Sequence, residues 1–472
     1  MDLAERVACE DVVMFVNAAV TSTGQREFHA GAAQQRLSLA FLHEYVLVNY
    51  RELYAATLAL DVNDFNAGLV VLNLLRTAQE VPLPRWKLEG ALIAARLRTL
   101  PPQRVYRILH TLRAEGINNR RTRAIVRDWV AGRPDIAFDA VKYRRHLAGA
   151  VRHTHVRLPD EVGTMLFDWR RPKRYATPIL ETWRRAHYEQ RAVFDLPYTV
   201  AEGFAAMHRI DRARLLQRAG SQLTGLERLR LQDTATRAGR KTPVRVEVDL
   251  HWTPLTRLAV YVLSLPRPER ARRRDELTAA LRSAARRAAG RRAGTWGTVV
   301  GVLDDSYSAA GSGVKRRRPL AVALAMHYLL EALATRHHTV WLAHTGDPLL
   351  VHPIGATPLG QRLLDGLRLR PDRLVVVSDG WDNAPPGQAA EVLRVWRERL
   401  DPAGHTSIVH LNPVYDGEAF DVRRLAPTVA TVGVRDAEDA AALVELARFS
   451  TGTATFAQLR AYLDDLVEGF LR

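Results

Sequence analysis

One cysteine, Cys9, stands in a chain of 472 residues. A single thiol forms no internal disulfide, which excludes a disulfide scaffold and suits a reducing compartment. Long hydrophobic runs are missing as well. The longest, such as Leu320–Met326 and Leu258–Leu263, fall far short of the roughly 20 apolar residues that a membrane span needs. The first twenty residues hold Asp2, Glu5, Glu10 and Asp11, wrong for the cationic start of a secretion signal. A cytoplasmic protein is expected. Lysine is scarce: Lys87, Lys142, Lys173, Lys241 and Lys315 are the only five among 68 basic residues. The positive charge is therefore almost all guanidinium.

What is present is ordinary globular composition, 47% hydrophobic and 25% charged, and a length of about three times the ~150-residue prior for one domain. The net charge of +17 is distributed unevenly. Residues 291–472 carry 20 Lys and Arg against 21 Asp and Glu, whereas residues 1–290 carry 48 against 30. A general arginine bias would raise both parts alike. Positive charge confined to one part points to a polyanionic partner, most simply nucleic acid.

The two parts also differ in pattern. From Asn63 to about Leu229 the periodicity is helical, with Val105, Ile108, Leu109 and Leu112 at i, i+3, i+4, i+7. Pro101-Pro102 ends one helix and starts the next, and Asn63 stands where an N-cap belongs. Short helices joined by tight turns predict a HEAT-like solenoid or ring with a concave surface. Residues 266–292 are dense in arginine and read as a helix and linker joining the parts, either a solvated face or an anion-binding footprint. After Gly294, short apolar runs at Thr298–Leu303, Thr339–Ala343, Leu374–Val377 and Ser407–Leu411 alternate with helical segments. That alternation predicts a doubly wound, mostly parallel α/β sheet covered on both faces. Expected domains are an all-helical basic module at 1–290 and an α/β domain at 291–472.

Ligands of such sheets sit outside the C-terminal strand ends. There the sequence offers Asp304-x-Ser306-x-Ser308 after the first strand, Thr357 before a later helix, and Asp379 after the strand Leu374–Val377. Two carboxylates and three hydroxyls suit a hard divalent cation such as Mg²⁺; without His or Cys, zinc is disfavoured. Asp and Ser are also common cap and turn residues, so a metal-free helix-capped loop is the plainer reading. No nucleophile triad and no phosphate-cradling glycine loop accompanies the set, and no enzyme activity is expected.

These residues, in this order, resemble the metal-ion-dependent adhesion site of the von Willebrand factor A domain over roughly Thr295–Arg472. The resemblance implies Ser306, Ser308 and Thr357 as direct ligands, Asp304 and Asp379 as charge-balancing ones, and a partner carboxylate completing the coordination. Residues 120–159 resemble the TROVE module of Ro RNA-binding proteins, in the run Ala140-Val141-Lys142-Tyr143-Arg144-Arg145-His146 followed by Arg152-His153-Thr154-His155-Val156-Arg157. Those proteins place a ring of HEAT-like repeats before an A domain. The resemblance implies binding of small structured noncoding RNA and of single-stranded RNA ends.

Candidate RNA contacts are Lys142, Arg144, Arg145, His146, Arg152, His153, His155 and Arg157, with Arg170, Arg171, Lys173 and Arg174 in a second cluster that interleaves aromatics with cations. Cations neutralise phosphates, and rings stack unpaired bases. The bland readings are a core-facing Tyr143 and His146, a solvated Arg144-Arg145 face, and a helix corner packed by Trp169 and Tyr175. Asn118-Asn119-Arg120-Arg121 is expected to be an exposed loop. The leading expectation is a monomeric ribonucleoprotein component whose A domain docks a protein. The second is a metal-dependent adaptor in a multiprotein system linked to an ATP-driven (AAA+) chaperone, without RNA.

Overall fold

The computed structural model describes residues 3–78, 83–219, 223, 227–228, 250–343, 346–451 and 454–472. The chain forms two compact units, one made of Met1–Val70 together with Leu250–Arg472 and the other of Val71–Asp249. Lys241 and the end of the predicted helical stretch near Leu229 lie outside the described residues.

The first unit is built on five parallel strands, β1 (Thr298–Leu303), β2 (Arg336–Trp341), β3 (Arg373–Val377), β4 (Ser407–Asn412) and β7 (Ala430–Gly433), in the order β2-β1-β3-β4-β7. A two-residue hairpin, β5 (Tyr415–Asp416) with β6 (Asp421–Val422), interrupts the connection to β7. Alternation along β1 and β3 divides the core. Val300, Val302, Leu374 and Val376 pack on one face with Leu359, Leu363 and Leu367 of the helix Leu359–Leu367. On the other face Gly301 lies beneath Leu330 of the helix Arg318–Leu333, and a Cβ there would come within 2.9 Å of Leu330 Cδ1. Both faces are covered, as continuous apolar strands require.

The sequence boundary at 290/291 differs from these units, because the N-terminal helix Leu3–Thr21 belongs to the sheet. Its Val12, Val13, Phe15 and Val16 are buried. Asn17 accepts from Gly433 N at 2.8 Å and donates to Asp421 Oδ1 at 2.8 Å. The arginine-rich stretch belongs here too. The helices Arg267–Arg272 and Arg274–Ala289 bury Leu277, Leu281 and Ala285, and Arg272, Arg273, Arg274 and Arg282 pair with Glu269, Glu276, Asp347 and Glu331. These four form the solvated face of a packed helical stretch, whereas Arg270 of the same stretch is buried.

The second unit is helical throughout its described residues, with Leu83–Thr99, Pro102–Ala114, Arg120–Ala131, Ile136–Lys142, Arg144–Thr154, Asp160–Phe167 and Pro178–Arg185 its principal helices. Val105, Ile108, Leu109 and Leu112 form the buried stripe that their spacing predicts. Tyr106 ties three helices together. Its ring packs on Trp129 and Tyr143 at 5.2 and 4.9 Å, and its hydroxyl donates to the buried Asp139 at 3.0 Å, which also receives Arg133.

Gly433 tests the join between the N-terminal helix and the sheet. A Cβ there would stand 2.8 Å from Thr21 Cγ2 and 2.9 Å from Asn17 O. Gly433→Val is expected to cost about 1–3 kcal/mol in urea unfolding, whereas Gly469→Ala, with open space around its Cβ, should leave stability unchanged or slightly raised.

Candidate metal and nucleic-acid sites

Three loops meet at the C-terminal ends of β1 and β3, and backbone hydrogen bonds lace them together. Asp304 N donates to Val377 O at 3.0 Å, Ile354 N to Asp305 O at 2.9 Å, and Tyr307 N to Gly355 O at 3.1 Å. Thr357 N donates to Asn383 Oδ1 at 2.8 Å. Gly380 turns the third loop at φ +79°, where a Cβ would stand 2.7 Å from Arg423 O; this backbone favours glycine.

The side chains so held are almost wholly withdrawn from water: Asp304 is 5% exposed, Ser306 1%, Thr357 2% and Asp379 5%. Asp304 Oδ1 accepts from Ser306 N at 2.8 Å, Asp379 Oδ1 from Trp381 N at 3.0 Å, and the hydroxyls of Ser306 and Ser308 are 3.1 Å apart. Burial first, and then the neighbouring Asp379 carboxylate, push the Asp304 carboxyl up to about 7. Among the described residues no three His, Cys, Asp or Glu side chains gather as a metal-ligand group. The donors here are two carboxylates and three hydroxyls, hard oxygen atoms that fit Mg²⁺ better than a softer ion. Asp305 is buried beside them but faces inward, accepting from Ala343 N at 2.9 Å.

One neighbour was not legible in the sequence. His29, from the loop after the N-terminal helix, stacks on Trp381 at 4.7 Å with Nε2 3.5 Å from Asp379 Oδ2. Phe28 meets Tyr307 edge-on at 5.9 Å. No spacing signal links position 29 to position 379; only the docking of the N-terminal helix on β7 brings them together.

In the helical unit the candidate RNA residues divide by environment. Arg145, His146, Arg152, His155, Arg157, Arg170, Arg171, Lys173 and Arg174 are exposed. Among the described residues Arg145, Arg157, Arg171 and Lys173 meet no carboxylate. Lys142, Arg144 and His153 are half-buried and engaged within the unit. Arg144 lies over Trp183 at 5.2 Å, His153 Nε2 approaches Ile117 O at 3.0 Å, and Lys142 lies over Phe138 at 5.4 Å. His146 faces His110 at 5.6 Å, and burial lowers its pKa. Trp169 and Tyr175 pack inward, Trp169 on Trp183 at 5.2 Å, as the helix-corner reading holds.

The expected loop at Asn118–Arg121 is a helix start. Asn119 Oδ1 accepts from Thr122 N at 2.9 Å, and Arg121 is buried against Glu89 at 3.2 Å. A cavity of about 750 Å³ opens beside it between the helices Leu83–Thr99 and Arg120–Ala131. Trp86 and Trp129 wall it, Gly90 and Ala124 leave the space, and Lys87, Arg98 and Arg120 stand exposed at its rim. Sequence reasoning named Arg120 as part of an exposed loop and missed the others, although Trp86-Lys87 beside a basic helix start was an available sign.

No family model and no curated protein matches the chain. Among solved structures it is similar to the Ro (RSR) protein of Deinococcus radiodurans, at 17% identity and a TM-score of 0.43, over 94% of this chain and 100% of that one. Among the described residues no helix is long and apolar enough to cross a membrane.

The carboxylate pair makes a stability prediction. In metal-free protein the folded state holds the Asp304 proton up to about pH 7, whereas an unfolded aspartate releases it near pH ~4. The folded state therefore loses stability relative to the unfolded chain as pH rises through that window. Asp304→Asn should remove this loss, giving a protein more stable than wild type by on the order of 2 kcal/mol at pH 8 in chelator, with the difference shrinking towards pH 4. Urea unfolding of both proteins across pH measures it.

Proposed function

We propose that the chain is an RNA-binding protein whose helical unit engages the phosphate backbone and unpaired bases, and whose sheet-bearing unit carries a Mg²⁺-dependent site for docking a protein. The observation that carries this reading is the charge of the two units. Residues 71–249 hold 35 Lys and Arg against 18 Asp and Glu, a net of +17, while the rest of the chain holds 33 of each. The whole net charge of the protein is thus borne by the helical unit. Arginines exposed without carboxylate partners release counterions when they meet phosphate, a large contribution to nucleic-acid affinity. Base stacking is the second contribution, and the Trp86–Trp129 cavity with its cationic rim suits an unstacked base beside its phosphate.

Ser306, Ser308 and Thr357 would hold the metal directly, with Asp304 and Asp379 supplying the balancing charge. When bound, the ion supplies open coordination positions that a partner's carboxylate can fill. The protein's own groups prepare the place: burial keeps competing water away, and the laced loops fix the donors before the ion arrives. The second reading, an adaptor without RNA, uses the same site and leaves the +17 of the helical unit without a purpose.

Two measurements test the proposal. Affinity for a small structured RNA should fall steeply with salt, and replacing Arg145, Arg152 and Arg157 together by Gln should weaken it by roughly 10- to 100-fold and flatten the salt slope by about three contacts. Binding that ignores salt, or survives the triple replacement, rejects the RNA reading. Separately, Mg²⁺ should raise the melting temperature of the wild type and leave Asp379→Ala unmoved; equal behaviour of the two proteins rejects the metal site.

A further inference from the structure

A second cavity, about 350 Å³, lies in the sheet-bearing unit and is lined by Arg267, Arg270, Arg317 and His352. Among the described residues no acidic side chain lines it. Arg270 is 4% exposed, and its hydrogen-bond partners are carbonyl oxygens: Nε donates to Leu265 O at 2.9 Å, and Nη1 to Leu349 O and Val351 O at 3.0 Å each. Its other terminal nitrogen meets no acceptor among the described residues. Arg317 donates to Leu263 O, and Arg267 Nη1 stands 3.5 Å from His352 Nε2.

Several other withdrawn cations are answered by carboxylates, Arg121 by Glu89, Arg133 by Asp139, Lys315 by Glu27 and Arg318 by Asp436. Arg270 is not. Carbonyl dipoles satisfy its hydrogen bonds but leave its charge standing, next to two more guanidinium groups. Burial, then Arg317 and Arg267, pull its pKa down to about 10, so it still carries its charge at neutral pH. An uncompensated buried charge is costly, and a site that tolerates one is arranged for an anion that arrives from outside.

We propose that this cavity binds the phosphate group of a phosphomonoester. Guanidinium forks match tetrahedral oxyanions bidentately, and a dianion balances most of the three positive charges. The volume exceeds that of a bare phosphate, and Leu320 and Pro353 give the remaining wall an apolar surface for a sugar or base. The phosphate belongs either to a free mononucleotide or to the 5′ end of an RNA. The site lies outside the helical unit, so it stands whether or not that unit binds RNA.

The test uses the full chain at fixed ionic strength, with inorganic phosphate, 5′-AMP and adenosine as calorimetric probes. Phosphate and AMP should bind one per chain and adenosine should not. Arg267→Gln with Arg317→Asn, both at exposed positions and the second tolerant of the φ of +55° at Arg317, should weaken AMP by at least tenfold with melting temperature unchanged. Arg270→Met serves as a further variant, but its carbonyl ties make loss of fold a separate effect, so the exposed pair decides. Equal binding of AMP and adenosine, heats reproduced by sodium chloride, or full affinity in the double variant overturns the proposal. Displacement of AMP by a 5′-phosphorylated oligonucleotide, and not by its 5′-hydroxyl form, assigns the phosphate to RNA ends; resistance to both oligonucleotides assigns it to free nucleotides.

Discussion

Asn17 holds the architecture together. Its carboxamide accepts the N–H of Gly433 on the edge strand β7 and donates to Asp421 beside it, so the first helix of the chain closes the sheet formed near the last. Because both ends of the chain are committed to one unit, residues 71–249 form a second unit inserted between them. The insertion sorts the charges. A boundary at 290/291 leaves thirteen cations of the sheet-bearing unit counted with the wrong body; a boundary at 70/71 and 249/250 leaves one unit neutral and the other at +17. The same tie brings His29 to the strand ends, where Asp379 lies.

Proximity to charge acts in opposite senses in the two halves of the sheet-bearing unit. At the strand ends two carboxylates are buried together, and the cost appears as a raised Asp304. In the Arg270 cavity guanidinium groups crowd together, and the cost appears as a lowered Arg270. In water at a few ångströms, like charges repel by about 1 kcal/mol, but several-fold more where the surroundings are partly desolvated. Arg273 and Arg282 incur no such cost, since a carboxylate three residues away or on the neighbouring helix answers each of them near the surface. Those surface pairs add little stability; their effect is to remove the paired arginines from the cationic footprint.

What was legible in the sequence was what local pattern determines. Continuous apolar runs marked β1, β3 and β4 within a residue of their ends, and the strand-end motif led to side chains that the loops do gather. β2 begins three residues earlier than expected, at Arg336, because an edge strand tolerates the polar Arg336-His337-His338 that a central one would not. The short β7 escaped notice, as four residues carry too little periodicity. The unit boundary was illegible for a different reason: it depends on which distant surface a helix covers, and the apolar face of Leu3–Thr21 does not say whether a sheet or another helix lies beneath it.

The arginines show the limit most sharply. Composition counts Arg270, Arg273 and Arg145 alike, yet one is sealed behind carbonyls, one is paired with Glu276, and one stands exposed on the basic unit. Glu276 cancels the field of Arg273, whereas Arg145 on the basic unit contributes to a long-range field that a polyanion can feel. Glu at i+3 could have flagged Arg273 in advance, since helix neighbours at that spacing meet. Nothing local could have flagged the burial of Arg270, whose Nη1 acceptors lie about eighty residues onward at Leu349 and Val351. Net charge per unit is therefore a sound guide to a partner only after the fold has decided which residues share a body and which of their charges are already answered within it.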